Sequence, residues 1–131
     1  MDDFLPYASL AGRRVLVAED NLISIEVMRQ YLSFLKIESY FVTDGKQCIE
    51  ALKNNTYDCI LMDIQMPELD GFQTTDQIRL MSEFKDIPII GVSAGLTKSN
   101  QQRWLQSGMN DFLTKPFEVD EVAKLMMKYL G

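Results

Sequence analysis

Cys59-Ile60-Leu61-Met62-Asp63 is a run of four apolar residues ending on a carboxylate. A short apolar run without alternation is the pattern of a strand covered on both faces, as in a parallel sheet. Similar runs recur upstream at Val15-Leu16-Val17-Ala18 and downstream at Ile89-Ile90-Gly91-Val92, with shorter ones at Tyr40-Phe41-Val42 and Phe112-Leu113. Helical stripes fill the gaps: Ile25, Met28, Leu32 and Leu35 fall at helical spacing, as do Val122, Leu125, Met126 and Tyr129. Asp70-Gly71 reads as a cap opening a helix through Ile78, and Gly108 as the stop of one containing Trp104 and Leu105. Five strands alternating with five helices predict an α/β doubly wound sheet with right-handed crossovers. Residues 1–12 are weakly patterned, with Pro6 and Gly12 as breakers, and read as an N-terminal extension or linker before a domain spanning residues 13–131.

Composition narrows the function. The chain has 131 residues, 47% hydrophobic and 24% charged, which suits one soluble domain with a real core. No apolar run approaches the roughly 20 residues of a membrane span. Met1-Asp2-Asp3-Phe4 lacks the basic region and apolar stretch of a signal peptide, so the expectation is a cytoplasmic protein without membrane insertion. A formal net charge of −6 argues against nucleic-acid binding, which needs clustered Lys and Arg. Cys48 and Cys59 lack zinc or redox spacing and read as buried free thiols. There is no histidine, which removes Ser-His-Asp and Cys-His catalysis and any phosphohistidine of the chain's own.

In a doubly wound sheet the ligand site lies beyond the carboxyl ends of the strands, at the switch point of strand order. Glu19-Asp20 follows the first strand, Asp63 the third, Ser93 the fourth and Lys115-Pro116 the fifth. With strand order 2-1-3-4-5, three carboxylates converge on one crevice, with a hydroxyl and an ammonium on its far side. Such crowding raises carboxylate pKa values unless a cation relieves it. Mg²⁺ suits the need, because it accepts one or two carboxylates, keeps several waters and takes a phosphate oxygen as a further ligand. Asp63 is then the candidate nucleophile toward a phosphoryl group, Lys115 a source of positive charge and Ser93 a hydrogen-bond donor. Singly, each residue would serve as a cap, a turn residue or a surface charge. Their recurrence, one set per strand end, is what points to a site.

These stretches resemble the receiver domains of response regulators over roughly Arg13 to Leu130. The residues carrying the resemblance are Val15-Leu16-Val17-Ala18-Glu19-Asp20-Asn21, Ile60 through Gly71, Pro88-Ile89-Ile90-Gly91-Val92-Ser93-Ala94, and Gly108 through Pro116. The central stretch is most similar to receivers attached to hybrid histidine kinases. The resemblance implies a flavodoxin-like five-stranded parallel sheet with five helices, and phosphorelay function rather than turnover catalysis. It implies that Asp63 is the phosphoacceptor, that Asp20 and the Gln65 backbone carbonyl ligate Mg²⁺, and that Glu19 holds the ion through water. Ser93 would be the switching hydroxyl, Lys115 the ion-pair partner of the phosphoryl group, and Phe112 the aromatic switch. The Lys115-Pro116 bond would be cis. Ser where the family commonly has Thr, and Gly95 two residues on, depart mildly from the pattern; Gln65 and Gly95 occupy positions that bear on phosphoryl lifetime.

The implied partners are a histidine kinase or histidine phosphotransfer protein as donor, and a downstream protein at the face of the fourth helix, fifth strand and fifth helix. Trp104 could read out to such a partner or simply pack. Three rival readings fit less well. A flavodoxin-type electron carrier needs a Ser/Thr/Gly-rich phosphate cradle where Glu19-Asp20-Asn21 stands. A haloacid-dehalogenase-like phosphatase needs a second Asp where Gln65 stands. A degenerate receiver acting only as an interaction module conflicts with the full acidic set plus Lys115. The sequence leaves open whether the chain is a stand-alone regulator or part of a longer protein.

Overall fold

The computed structural model describes residues 5–95 and 98–131. Strands β1 (Arg14–Ala18), β2 (Glu38–Val42), β3 (Cys59–Asp63), β4 (Ile89–Ser93) and β5 (Asp111–Thr114) form one parallel sheet in the order β2-β1-β3-β4-β5. Helices α1 (Leu22–Phe34), α2 (Gly45–Asn54), α3 (Gly71–Arg79), α4 (Lys98–Gln106) and α5 (Val119–Leu130) connect them. The doubly wound expectation therefore holds, including the strand order.

Strand alternation divides the core into two layers. Val15, Val17, Cys59, Leu61, Ile90 and Val92 face α1 and α5, where Met28, Leu32, Val122 and Met126 meet them. Leu16, Ala18, Ile60, Met62 and Ile89 face the other way, toward Cys48, Leu52, Phe72 and Ile78. β3 and β4 are buried at every residue, whereas the edge strand β2 is buried at none. That contrast explains why β3 reads as an unbroken apolar run and β2 does not.

Helix starts are set by side-chain caps. Asn21 accepts from the Ser24 amide, Asp44 from the Gln47 amide, and Asp70 forms a reciprocal capping box with Gln73 that opens α3. Asp63 and Ser93, read from the sequence as following their strands, are instead the last residues of β3 and β4. The final ladder position still pairs backbone groups, so the strands run one residue further than the apolar runs. Residues 5–10, expected to be part of an extension, form 3-10 turns that pack against α5, and Leu10 is fully buried in the core.

Cys48 and Cys59 are free and buried, and burial first, with nearby Asp44 and Asp58 respectively, pushes both thiols up to about 12. A thiol reactive only as thiolate is inert under those conditions. A colorimetric disulfide reagent at pH 8 should therefore titrate no thiol in the native protein and both in guanidinium. Rapid labelling of the folded protein would contradict the placement of these side chains.

Candidate functional site

The strand order puts the ends of β1 and β3 side by side. Glu19 and Asp63 are buried at 4% and 5% exposure, Asp20 is exposed, and one carboxylate oxygen from each lies within 4.8 Å of the others. The convergence expected from the strand ends is thus present in space.

Glu19 is fixed from several sides. Its amide donates to the Val42 carbonyl at 2.9 Å, and its Oε2 accepts from the Asp20 and Asn21 amides at 3.1 and 3.2 Å. Its Oε1 accepts from Lys115 Nζ at 2.6 Å. Asp63 Oδ1 accepts the Gln65 amide at 3.2 Å, while the Ile64 amide donates to the Val92 carbonyl at 3.0 Å and holds the strand end to β4. Directly behind this turn is Gly71. A Cβ there would collide with the Asp63 carbonyl oxygen and lie 2.8 Å from Ile64 Cα, so only glycine lets α3 start this close to the site.

The electrostatics follow from the crowding. Burial, then the hydrogen bond and negative charge of Glu19, push the Asp63 carboxyl up to about 7, against the opposing pull of Lys115 and the Gln65 amide. Burial also pushes Glu19 upward, but its bonds with Asp63, Lys115 and the Asn21 amide outweigh that and hold it below the usual carboxylate value. Without a cation, the crowding of the pair therefore favours the protonated form of Asp63. Three carboxylates offering hard oxygen donors, one of them reluctant to ionise, fit a hard divalent cation such as Mg²⁺.

The remaining expected residues are placed unequally. Ser93 is buried at 2% exposure, and its hydroxyl donates to the Gly95 carbonyl at 3.2 Å, within its own loop. Lys115 follows β5; its amide donates to the Ser93 carbonyl at 2.7 Å, and the Lys115-Pro116 bond is cis. Gln65 presents an exposed side chain beside Asp63. Phe112 is half-buried away from the carboxylates, edge-on to Trp104 with ring centroids 6.3 Å apart. Trp104 Nε1 also donates to the Asp111 carbonyl at 3.4 Å, so packing accounts for much of its surface.

One side chain packed beside the Lys115 connection carries no signal in the sequence. Tyr31 on α1 donates its hydroxyl to the Phe117 carbonyl at 3.2 Å, across 86 residues, and its ring meets Phe117 edge-on at 6.0 Å. In the sequence it reads only as one more partly apolar helix position. Tyr31 also lines an open cavity of about 590 Å³ with Ile23, Val27, Lys115, Pro116 and Phe117.

An acidic cluster at the β1/β3 switch point, with Lys115 reaching in from just past β5, lies where doubly wound sheets place their ligand sites. The family model for the response regulator receiver domain matches residues 15–127, and the chain belongs to that family, the receivers of two-component phosphorelay signalling. Among curated proteins it is 35% identical over 119 residues to transcription factor SKN7 of Saccharomyces cerevisiae, covering 91% of this chain and 19% of that protein. Among solved structures, the receiver domain of a Pseudomonas aeruginosa sensor histidine kinase, with a magnesium ion coordinated in its active-site cleft, superposes with a TM-score of 0.87. It is 35% identical and covers 92% of this chain and 99% of its own. A co-crystal structure of the Saccharomyces cerevisiae phosphotransfer protein Ypd1 with the receiver domain of the response regulator Ssk1 matches with a TM-score of 0.83 at 25% identity, covering 92% of this chain and 90% of that one. The chain spans only 7% to 20% of the length of the curated relatives it matches. Receiver domains are phosphoacceptors rather than turnover enzymes. No described helix is long and apolar enough to cross a membrane.

Proposed function

We propose that Asp63 accepts a phosphoryl group from a phosphohistidine on a histidine kinase or phosphotransfer protein in the cytoplasm. The observation that supports this best is the convergence of Glu19, Asp20 and Asp63 within 4.8 Å, with Lys115 bonded into the cluster. Asp20, Asp63 and the Gln65 backbone carbonyl would hold a Mg²⁺ ion directly, and Glu19 would hold it through water. Bound there, the ion would offset the charge of the carboxylates and of the transferring phosphoryl oxygens.

The protein's own part is attack and charge stabilisation. A carboxylate oxygen of Asp63 forms a bond to phosphorus in line as the phosphorus–nitrogen bond to the donor imidazole breaks, and the imidazole keeps the electron pair. Lys115 Nζ, already within the crevice, offers positive charge to the phosphoryl oxygens. The Ser93 hydroxyl, turned toward Gly95 in this state, would rotate to donate to them. That rotation, together with a move of Phe112, would shift populations at the surface formed by α4, β5 and α5, where a downstream partner reads the signal. Gln65 and Gly95 flank the phosphoryl position and would govern water attack and self-dephosphorylation. The receiver unit would comprise residues 13–131, with residues 1–12 preceding it and contributing Leu10 to its core.

Incubation with acetyl phosphate and Mg²⁺, followed by intact-mass measurement, tests the assignment. Wild type should gain one phosphoryl group, Asp63→Asn none, and wild type in excess chelator none. Full labelling of the asparagine variant would refute the role of Asp63.

A further inference from the structure

We infer that Tyr31 is a positioning residue for Lys115, an inference that rests on the phosphoacceptor reading above. The connection between β5 and α5 is only residues 115–118. It is anchored at its start by the Lys115 amide on the Ser93 carbonyl at 2.7 Å, and through Lys115 Nζ on Glu19 at 2.6 Å. At its end, the Glu118 amide donates to Glu121 Oε1 at 3.0 Å, a bond internal to the start of α5. Between these points, the hydroxyl of Tyr31 holds the Phe117 carbonyl from α1, while the Phe117 ring is buried in the core at 8% exposure.

Lys115 carries its charge on a flexible stem, so where its ammonium can reach depends on where this short connection holds its backbone. The cavity of about 590 Å³ that Tyr31, Lys115, Pro116 and Phe117 line leaves the connection room to move on its α1 side. Among the described residues, the Tyr31 hydroxyl is the side-chain hydrogen bond from another element that resists such movement at Phe117. Small displacements of a charge-stabilising group are expensive in rate, about a hundredfold for roughly 1 Å at a reacting centre. Loss of one hydroxyl with the ring retained should cost less, about three- to tenfold.

The test is the rate of Asp63 labelling by acetyl phosphate at saturating Mg²⁺ in Tyr31→Phe, Lys115→Gln and the double variant. Tyr31→Phe should label about three- to tenfold more slowly than wild type, with little change in melting temperature. In the Lys115→Gln background, the same change should have no further effect on rate while keeping its small effect on stability. Should labelling of the Lys115→Gln variants be too slow to time, the Lys115 side-chain NMR resonance, assigned by its loss in Lys115→Gln, replaces it. That resonance should move toward the position of an exposed lysine in Tyr31→Phe. Wild-type rate in Tyr31→Phe, an equal loss in both backgrounds, or an unmoved lysine resonance would overturn the inference. Failure of wild type itself to label would instead strike the phosphoacceptor reading.

Discussion

Asp63→Asn should raise the melting temperature of the metal-free domain at neutral pH by about 7 °C, the reverse of the usual result for a buried polar substitution. The Asp63 carboxyl is pushed up to about 7 by burial and then by Glu19. A folded-state value above the unfolded one means the protonated form favours the fold. Its contribution is therefore complete below the ordinary carboxylate value of 3.8 and is lost as pH rises through about 7. Glu19, held below its ordinary value of 4.5, acts oppositely, but in a more acidic window that ends near that value. Above the ordinary Glu19 value of 4.5 and up to about 7, the Asp63 effect therefore dominates.

A tenfold change in a protonation equilibrium is worth about 1.4 kcal/mol. Discounted for the pairing with Glu19 and for solvent at the crevice mouth, roughly 2 kcal/mol is a fair expectation at neutral pH. Thermal melts in chelator at mildly acidic and neutral pH check the sign: the advantage of the asparagine variant should grow as pH rises. Millimolar Mg²⁺ should then stabilise wild type and close the gap, because a ligand that binds only the folded state adds stability by mass action. An asparagine variant that melts below wild type in chelator at neutral pH would show that the carboxylates do not repel one another as described.

Gly71→Ala should be the most damaging small substitution near the site. Its added methyl collides with the Asp63 carbonyl oxygen and lies 2.8 Å from Ile64 Cα and 3.0 Å from the Asp63 carbonyl carbon. These are backbone atoms of a strand end bonded to β4 through the Ile64 amide, so neither side yields without moving Asp63. Overpacking against a rigid neighbour costs about 3 kcal/mol, or a melting temperature lower by roughly 10 °C for a domain of this size. Phosphoryl labelling should fall as well, since the displacement is transmitted to Asp63 and Gln65. The same change at Gly95, where a Cβ meets nothing within 4 Å, should leave stability nearly intact. Equal melting temperatures for Gly71→Ala and wild type would show that the packing behind Asp63 is not tight.

Apolar periodicity makes the elements legible along the chain. β1, β3 and β4 are buried almost throughout, so apart from Arg14, Asp63 and Ser93 at their ends their residues form unbroken apolar runs that stand out locally. β2, at the edge, leaves a shorter trace because its pattern mixes exposed and half-buried positions. Caps are legible for the same local reason: Asp70 and Gln73 meet three residues apart. Boundaries are less so, since ladder hydrogen bonding carries Asp63 and Ser93 into their strands whatever their polarity. The burial of Leu10 is also hidden, because a single apolar residue among breakers has no period to reveal it.

Legible along the chain are the alternation of strands and helices, the chemical type of the residue at each strand end, and hence the acidic character of the site. Those properties are written in nearest neighbours along the chain. The tertiary structure alone decided who partners whom: Lys115 bonded to Glu19 across 96 residues, the Ser93 hydroxyl turned to Gly95, and Tyr31 reaching the Phe117 carbonyl. Hydrogen bonds and ion pairs are short-ranged and directional, so they depend on how distant elements are laid against one another, which no local pattern encodes.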